Sequence, residues 1–200
     1  MIDASIVEAP RQSLSTGEKA IVSEGAMPAG WKPAKRRQKD MDERWTKKHG
    51  KSYFGYKVPA NADKRHKLIR KLKVSTASEH DTMPFEDVLD PANTNRDILA
   101  DKGYVDGERE ARLNEQGWRI HIQRKGSKGK PIPEAQQRHN HRIAKTRARI
   151  EHVFAGSAQT GGKTLRSIGL ARARLHLSWK VAAYNLQRLV YLKEARVKAF

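Results

Sequence analysis

A mixed α/β domain is what this sequence predicts, on three observations. Apolar residues alternate in twos around residues 51–78 and 119–122, then recur in threes and fours after residue 134, a switch from strand to helix periodicity. The chain has 200 residues, which suits one domain, 1–200, able to bury a core. Its hydrophobic fraction of 37% is lean but still that of a globular protein.

The elements follow in order. Met1 to Ala9, MIDASIVEA, is a short β-compatible run with an abrupt start, since only two residues precede Asp3. Residues 13–44 mix Gly, Pro, Ser and clustered charge without a sustained period and predict a long, exposed, basic loop. KSYFGYKVPANAD and HKLIRKLKVSTAS carry aromatic and β-branched residues about a polar turn, the signature of a hairpin. In its second arm Leu68, Arg70, Leu72 and Val74 fall on one face, with Ile69, Lys71 and Lys73 on the other. TMPFEDVLD predicts a short helix entered from Asp81 or Thr82.

Ile98, Leu99 and Ala100 make a short apolar strand ending at Asp101 and turning at Gly103. GEREARLNEQGW reads as a helix closed by Gly117, WRIHIQRK as a strand with Ile120 and Ile122 alternating, and GSKGKPIP as a basic loop. Residues 134–155 predict a helix bearing Glu151, stopped by Gly156 and Gly161-Gly162. Residues 170–195 form the clearest amphipathic helix, whose stripe Leu175, Trp179, Ala182, Leu186, Leu189 and Val190 is expected to be core, with a partner helix as the alternative.

The net charge of +19 exceeds what solubility needs and points to a polyanion, with nucleic acid as the leading partner. It is also segregated: residues 32–73 carry 16 basic and four acidic side chains, 74–117 four and eleven, and 118–200 nineteen and three. No apolar run approaches the ~18 residues of a membrane span, and MIDASIVEAPRQ lacks the pattern of a signal peptide, so a cytoplasmic protein is expected. Zero cysteines leave oxygen or imidazole for any metal.

Within the last basic region, KTRARIEHVFA sets Glu151 among Lys145, Arg147 and Arg149. An i, i+4 pair with Arg147 in that orientation is worth at most ~0.5 kcal/mol, a weak reason for an acid there. A divalent cation between carboxylate and phosphate is a stronger one, because it inverts the local sign. Asp101, ending an apolar strand at the mouth of a sheet, and Asp3, in the first strand-like segment, are further candidates. Asp101 reads equally as a turn-forming residue before Lys102-Gly103, and Asp3 as a frayed terminal one. Three acids from three elements are what two-metal phosphoryl transfer requires.

IDASIVEAPRQ, ERWTKKHGKSYFGYK, HKLIRKL, LADKGY, QRKGSKGKP, RARIEHVF and IGLARARLHLSWKVAAYNLQRL closely resemble successive blocks of bacterial insertion-sequence DDE transposases of the insertion-sequence-five group. The resemblance spans nearly the whole chain. It implies a ribonuclease-H-like mixed sheet flanked by helices, and Mg²⁺-dependent (or Mn²⁺-dependent) cleavage and strand transfer. It also implies double-stranded DNA partners, the element's terminal repeats and the target, a homo-oligomer on that DNA, and a place in the bacterial nucleoid. Its catalytic and metal-holding acids match Asp3 in DAS, Asp101 in D-x-x-Y with Tyr104, and Glu151 in R-x-x-x-E with Arg147. Arg147, Arg149, Lys145, Lys125, Lys128, Tyr104 and Lys163 would contact DNA.

The departures also carry expectations. Ala144 and Ala158 stand where the wider group often has Tyr and Lys, leaving Lys163 as the nearest later base. Val58-Pro59 follows GYK, and proline cannot donate to a ladder, so that strand is expected to be distorted or at an edge. Family members carry a long segment before the first Asp, so the fold is expected to be N-terminally truncated with Asp3 poorly held. On that reading the product is a split-frame piece or a decayed remnant, and autonomous activity is in question. The rivals are a basic DNA-binding protein without catalysis, and a fragment that interferes with a full-length transposase.

Other motifs fail on spacing. TGGKT at 160–164 lacks the first glycine of a phosphate loop, which falls on Ser157. His139-Asn140-His141 reads as exposed helix. Trp45, Tyr53 and Phe54 read as hairpin packing in preference to base stacking.

Overall fold

The alternating run KSYFGYKVPANA produces the longest strand, β3 (Lys51–Ala62), and each other strand of the main sheet pairs with it. The structure, a computed structural model, describes residues 1–48, 50–127 and 129–197, so the predicted DNA contact Lys128 lies outside the described residues. Strand β1 (Ile2–Glu8) runs antiparallel to β3 from the pair Ile2 and Asn61 to the pair Glu8 and Gly55. Strand β2 (Arg44–Lys48) forms a hairpin with the start of β3, and β4 (Ile69–Leu72) and β5 (Ser75–Thr76) return along it as the predicted hairpin.

The expected fraying of Asp3 does not occur. Met1 and Ile2 are buried, and the terminal amine donates to the Ala62 carbonyl at 2.8 Å while Ala62 N–H donates back to Met1 at 2.8 Å. Asp3 therefore sits in a closed ladder. Nor does Pro59 make β3 an edge. Its carbonyl accepts from Lys73 N–H at 3.0 Å, and the donor it lacks falls in the gap between β4 and β5, so the proline interrupts the return strand and leaves β3 central.

A bulge opposite Asn61 and Ala62 changes the second arm. Lys71 pairs with Asn61 and Ile69 with Ala62, so Arg70 is the extra residue, which moves Ile69 to the inward face with Leu72 and Val74 and turns Arg70 out, while Lys71 stays exposed as predicted. Ile69 is buried, and Arg70 is exposed and paired with Asp90 at 2.7 Å.

Residues 13–44 are not a continuous loop. Helix α1 (Thr16–Ser23) opens with a capping box, Ser15 accepting from Glu18 N–H at 3.3 Å and Glu18 from Ser15 N–H at 3.0 Å. Helix α2 (Pro33–Gln38) starts on a proline. The Ser-x-x-Glu signal supplies local end caps, which a short helix needs more than a period.

Strands β6 (Asp97–Ala100) and β7 (Arg119–Ile122) form a separate parallel pair, crossed over by a 3-10 turn (Lys102–Tyr104) and α3 (Gly107–Glu115). The predicted 81–90 helix is a 3-10 turn at Glu86–Val88. Helix α4 (Glu134–Gln159) runs three residues past the predicted stop. A Cβ on Gly156 would lie 2.7 Å from the Tyr184 ring, so this glycine lets two helices approach, and the chain reverses later at Gly161, φ +83°. Helix α5 (Leu170–Glu194) packs through Ala173, Leu177, Tyr184 and Leu192. The predicted core stripe points outward instead, with Leu175, Trp179 and Leu186 at 61%, 69% and 64% exposure.

One core joins Ile2, Phe85, Ile98, Tyr104, Leu113 and Ile122. Another sets Ile150, Val153 and Tyr184 against Ala60, Ala62 and Ile69. The result is a mixed, mostly antiparallel sheet flanked by helices, in agreement with the ribonuclease-H-like expectation. Among the described residues no helix is long and apolar enough to cross a membrane.

The N-terminus of α5 has no side-chain cap of its own. Asp40 accepts from Gly169 N–H at 2.5 Å and Asp42 from Leu170 N–H at 2.8 Å, placing two carboxylates at the positive end of the helix dipole. Asp40 also accepts from the Tyr56 hydroxyl at 2.7 Å. Buried beside it, Glu43 has its pKa pushed up from 4.5 to about 8, by burial first and by the Asp40 charge second.

Two predictions follow from this packing. At Gly55, φ +149°, a Cβ would lie 2.2 Å from the Val7 carbonyl oxygen, so Gly55→Ala is expected to lower unfolding stability by about 3 kcal/mol in urea titrations. Because the folded state holds the Glu43 proton more tightly than the unfolded chain, that contribution is complete below pH 4.5 and lost as pH rises through about 8. Glu43→Gln should therefore gain on wild type by on the order of 2 kcal/mol between pH 5 and 9, read from melts across that range.

Candidate active site

The main sheet, the β6–β7 pair and α4 meet around Asp3. The β1 ladder fixes its backbone opposite Ala60, and its side chain takes the Ala4 N–H at 2.8 Å on one oxygen and Arg147 Nη2 at 2.7 Å on the other. Burial raises its pKa, Arg147 opposes that by favouring the charged form, and the negative charge of Asp101 adds to the rise. Arg147 is thus an inward partner of Asp3, reaching Gln123 at 3.4 Å as well, and not the free phosphate contact expected.

Helix α4 lies across β1, β6 and β7, which brings Glu151 to the same region. Asp3, Glu151, Lys48, Tyr53 and Lys163 line one open cleft of about 250 Å³. Glu151 is exposed at its wall. Lys163 is carried there by strand-like pairing: Glu8 N–H donates to its carbonyl at 2.9 Å, Leu165 N–H donates to Glu8 at 2.8 Å, and the ammonium reaches Ser5 Oγ at 3.2 Å. Although Lys163 departs from the expected spacing after Glu151, the fold returns it to the acids.

Asp101 ends β6 as predicted and caps the 3-10 turn, accepting from Gly103 N–H at 2.6 Å. It lies outside the cleft lining, yet close enough for its charge to act on Asp3 and Tyr104. Tyr104 is 2% exposed and packs on Phe85, so it is not a DNA contact in this arrangement. Its hydroxyl has no hydrogen-bond partner, and burial, followed by the charges of Asp3, Asp81 and Asp101, drives its pKa upward.

Lys125 and Lys145 are exposed, and exposed Arg149 donates to the Lys64 carbonyl at 2.9 Å. Lys48 and Tyr53 were not singled out for this cleft by spacing; only the β2–β3 register, pairing Thr46 with Tyr53, brings them here. Trp45 and Phe54 pack at 5.2 Å, as a hairpin should. Asn140 is not simply exposed helix, because its amide exchanges hydrogen bonds with the Arg124 backbone at 2.9 and 3.0 Å and ties α4 to the end of β7.

The family described as the transposase DDE domain matches residues 1–186. The chain belongs to that family. It is 28% identical over 189 residues to the transposase for insertion sequence element IS1106 of Neisseria meningitidis serogroup B, a match covering 92% of this chain and 60% of that relative. The chain thus spans less than two thirds of that transposase's length. No solved structure matches it.

A DDE transposase domain has an all-oxygen donor set here, suited to a hard divalent cation. Among the described residues no three His, Asp or Glu side chains are gathered into a ready metal cluster. The arrangement explains why: Asp3 is engaged by Arg147, whose guanidinium stands where positive charge is wanted, while Asp101 is turned to its own 3-10 turn. The residue types fit a metal.

Tyr104 yields the third prediction. Removing a buried hydroxyl that bonds to nothing removes a desolvation penalty, so Tyr104→Phe should leave unfolding stability unchanged or raise it by up to ~1 kcal/mol. A loss of more than that amount in chemical denaturation would show that the hydroxyl has a partner.

Proposed function

We propose that residues 1–200 form a single DDE transposase catalytic domain that cleaves and joins DNA strands with Mg²⁺, Mn²⁺ serving in its place. The observation that carries the reading is that Asp3 and Glu151, from opposite ends of the chain, line one cleft with basic side chains at its wall, within charge range of Asp101. Asp3, Asp101 and Glu151 are the metal-holding residues. When bound, the cation supplies charge neutralisation and Lewis acidity between these carboxylates and a phosphate.

The chain's own groups do the rest. Lys163 and Lys48 draw the backbone of double-stranded DNA to the cleft, and exposed Lys125, Lys145 and Arg149 supply further phosphate contacts, as does Lys128 by the sequence blocks alone. Arg147 holds one Asp3 oxygen in place. Water breaks a phosphodiester at the element end, leaving a 3′-hydroxyl and a 5′-phosphate. That 3′-hydroxyl then attacks a target phosphorus, displacing a target 3′-hydroxyl, with no covalent protein intermediate. The substrates are the terminal repeats and the target duplex, and the protein acts as a homo-oligomer in the nucleoid. Assignment to the insertion-sequence-five group rests on the sequence blocks quoted above.

The second reading, a catalytically inactive protein that binds DNA or interferes with a full-length transposase, draws on the hold of Arg147 on Asp3. The two separate on one assay. Mn²⁺-dependent nicking of duplex carrying the terminal repeat should fall by about 100-fold or more in Asp101→Asn and in Glu151→Gln, with Ca²⁺ supporting none. Equal activity of Glu151→Gln overturns the catalytic reading. DNA binding that is steep in salt and indifferent to metal, without nicking in wild type, establishes the second one.

A further inference from the structure

Strand β1 presents Asp3, Ser5 and Val7 on one face, because strand side chains two apart share a side. Asp3 serves the candidate metal site, and Val7 is buried in the core with Leu165 and Leu177. Ser5 lies between them, half-buried, and lines the same cleft as Asp3 and Glu151. It stands about 6.6 Å along the strand from Asp3, close enough for neighbouring phosphates of one DNA strand to reach the two. The resemblance draws only Asp3 from the DAS block and leaves Ser5 without a role.

The hydroxyl has a charged neighbour. Lys163 Nζ donates to Ser5 Oγ at 3.2 Å, and the lysine is delivered there by the bridge between Glu8 and Thr164. A serine hydroxyl has one proton and two lone pairs, so an ammonium on a lone pair turns the proton elsewhere. Among the described residues Ser5 Oγ accepts this bond and donates none. The ammonium keeps two further N–H bonds, and its charge makes the hydroxyl a better donor in its turn. Stability gives no reason for the pair, since the bond is exposed and a held lysine loses rotamer freedom. Two donors opening side by side into one cleft suit an anion with several oxygens, and a phosphate is such a group. Glu8 also lines the cleft, but three residues on from Ser5 it projects from the opposite face of β1.

We propose that Ser5 and Lys163 form a seat for a DNA phosphate beside the one that reacts, Lys163 supplying charge and Ser5 a neutral, directional hydrogen bond. The proposal rests on the reading above that the cleft takes DNA, and it adds Ser5 as a substrate-binding residue. A lysine on its flexible stem acts as a point charge and holds a phosphate anywhere within reach. A hydroxyl fixed to the β1 ladder defines where the phosphate stops, and so sets the register of the strand against Asp3.

The test is the affinity for duplex carrying the terminal repeat, measured against monovalent salt with Ca²⁺ held constant so that nothing is cut. Ser5→Ala should weaken binding about tenfold with the salt slope unchanged, because a neutral donor releases no counterion. Lys163→Met should weaken binding and also flatten the slope, by about 0.9 for one phosphate contact. Ser5→Thr, which keeps the hydroxyl, should bind as wild type does. Adding Ser5→Ala to Lys163→Met should cost less than Ser5→Ala costs alone, because the lysine aims the hydroxyl. Where Lys163→Met behaves as expected, wild-type affinity in Ser5→Ala, or a loss that Ser5→Thr shares, overturns the proposal and leaves DNA in the cleft. Wild-type affinity and slope in Lys163→Met remove DNA from this cleft, and both readings fall together.

Discussion

Seven residues of antiparallel pairing between β1 and β3 hold the candidate site together. Asp3 is the second residue of β1, and a carboxylate so near a chain end keeps a fixed position only if the backbone on both sides of it is hydrogen-bonded. The ladder does this from Ile2 to Glu8, and the Met1–Ala62 exchange closes it beyond the strand. At its far end the same strand takes on the segment around Lys163, so one strand seats both an acid and a base of the cleft. Its two faces feed different cores, Ile2 toward Phe85 and Ile98, Val7 toward Leu165 and Leu177. Slipping β1 by one residue would exchange those faces and turn Asp3 away from Arg147.

Arg147 and Asp3 form the electrostatic centre of that arrangement. A buried carboxylate is costly without a counter-charge, and the guanidinium supplies it at 2.7 Å with its own side chain largely shielded. The bond has a second effect. By filling one Asp3 oxygen, Arg147 competes with any cation that would draw Asp3, Asp101 and Glu151 together. Asp101, half-buried and bonded to its own turn, and Glu151, exposed, are more easily recruited than Asp3. On the proposed reading, loading the site with metal requires this ion pair to reorganise.

Much of this was legible in the sequence where the signal was local or periodic. Alternation located the 51–78 hairpin and the strand at 119–122, and the short apolar run Ile98–Ala100 located the strand that gave Asp101 its place. What escaped were features set by partners distant in sequence. The bulge that turns Ile69 inward depends on Asn61 and Ala62. Gly156 looks like a helix stop until Tyr184 is set against it. Arg147 looks like a phosphate contact until β1 brings Asp3 to it. The caps of α5 come from Asp40 and Asp42, well over a hundred residues away in sequence, beyond the reach of any local capping rule. The capping box at Ser15, by contrast, was a local signal within a stretch read only for its lack of period.

The inversion of α5 has its own physical logic. Periodicity reports that a helix has an apolar face and is silent on what the face meets. Here two apolar seams share the helix, and the buried one is chosen by fit: small Ala173 and Gly156 admit close packing, Tyr184 donates its hydroxyl to the Lys67 carbonyl at 2.8 Å, and Asn185 exchanges hydrogen bonds with Ile69 at 2.9 Å. The bulkier seam, with Trp179 and three leucines, has no equivalent polar anchors. Hydrogen bonds to a strand's backbone help fix which side of a helix turns inward, because each such group left unpaired costs about 1–3 kcal/mol, comparable to exposing one leucine. Hydrophobicity alone would have chosen the other face.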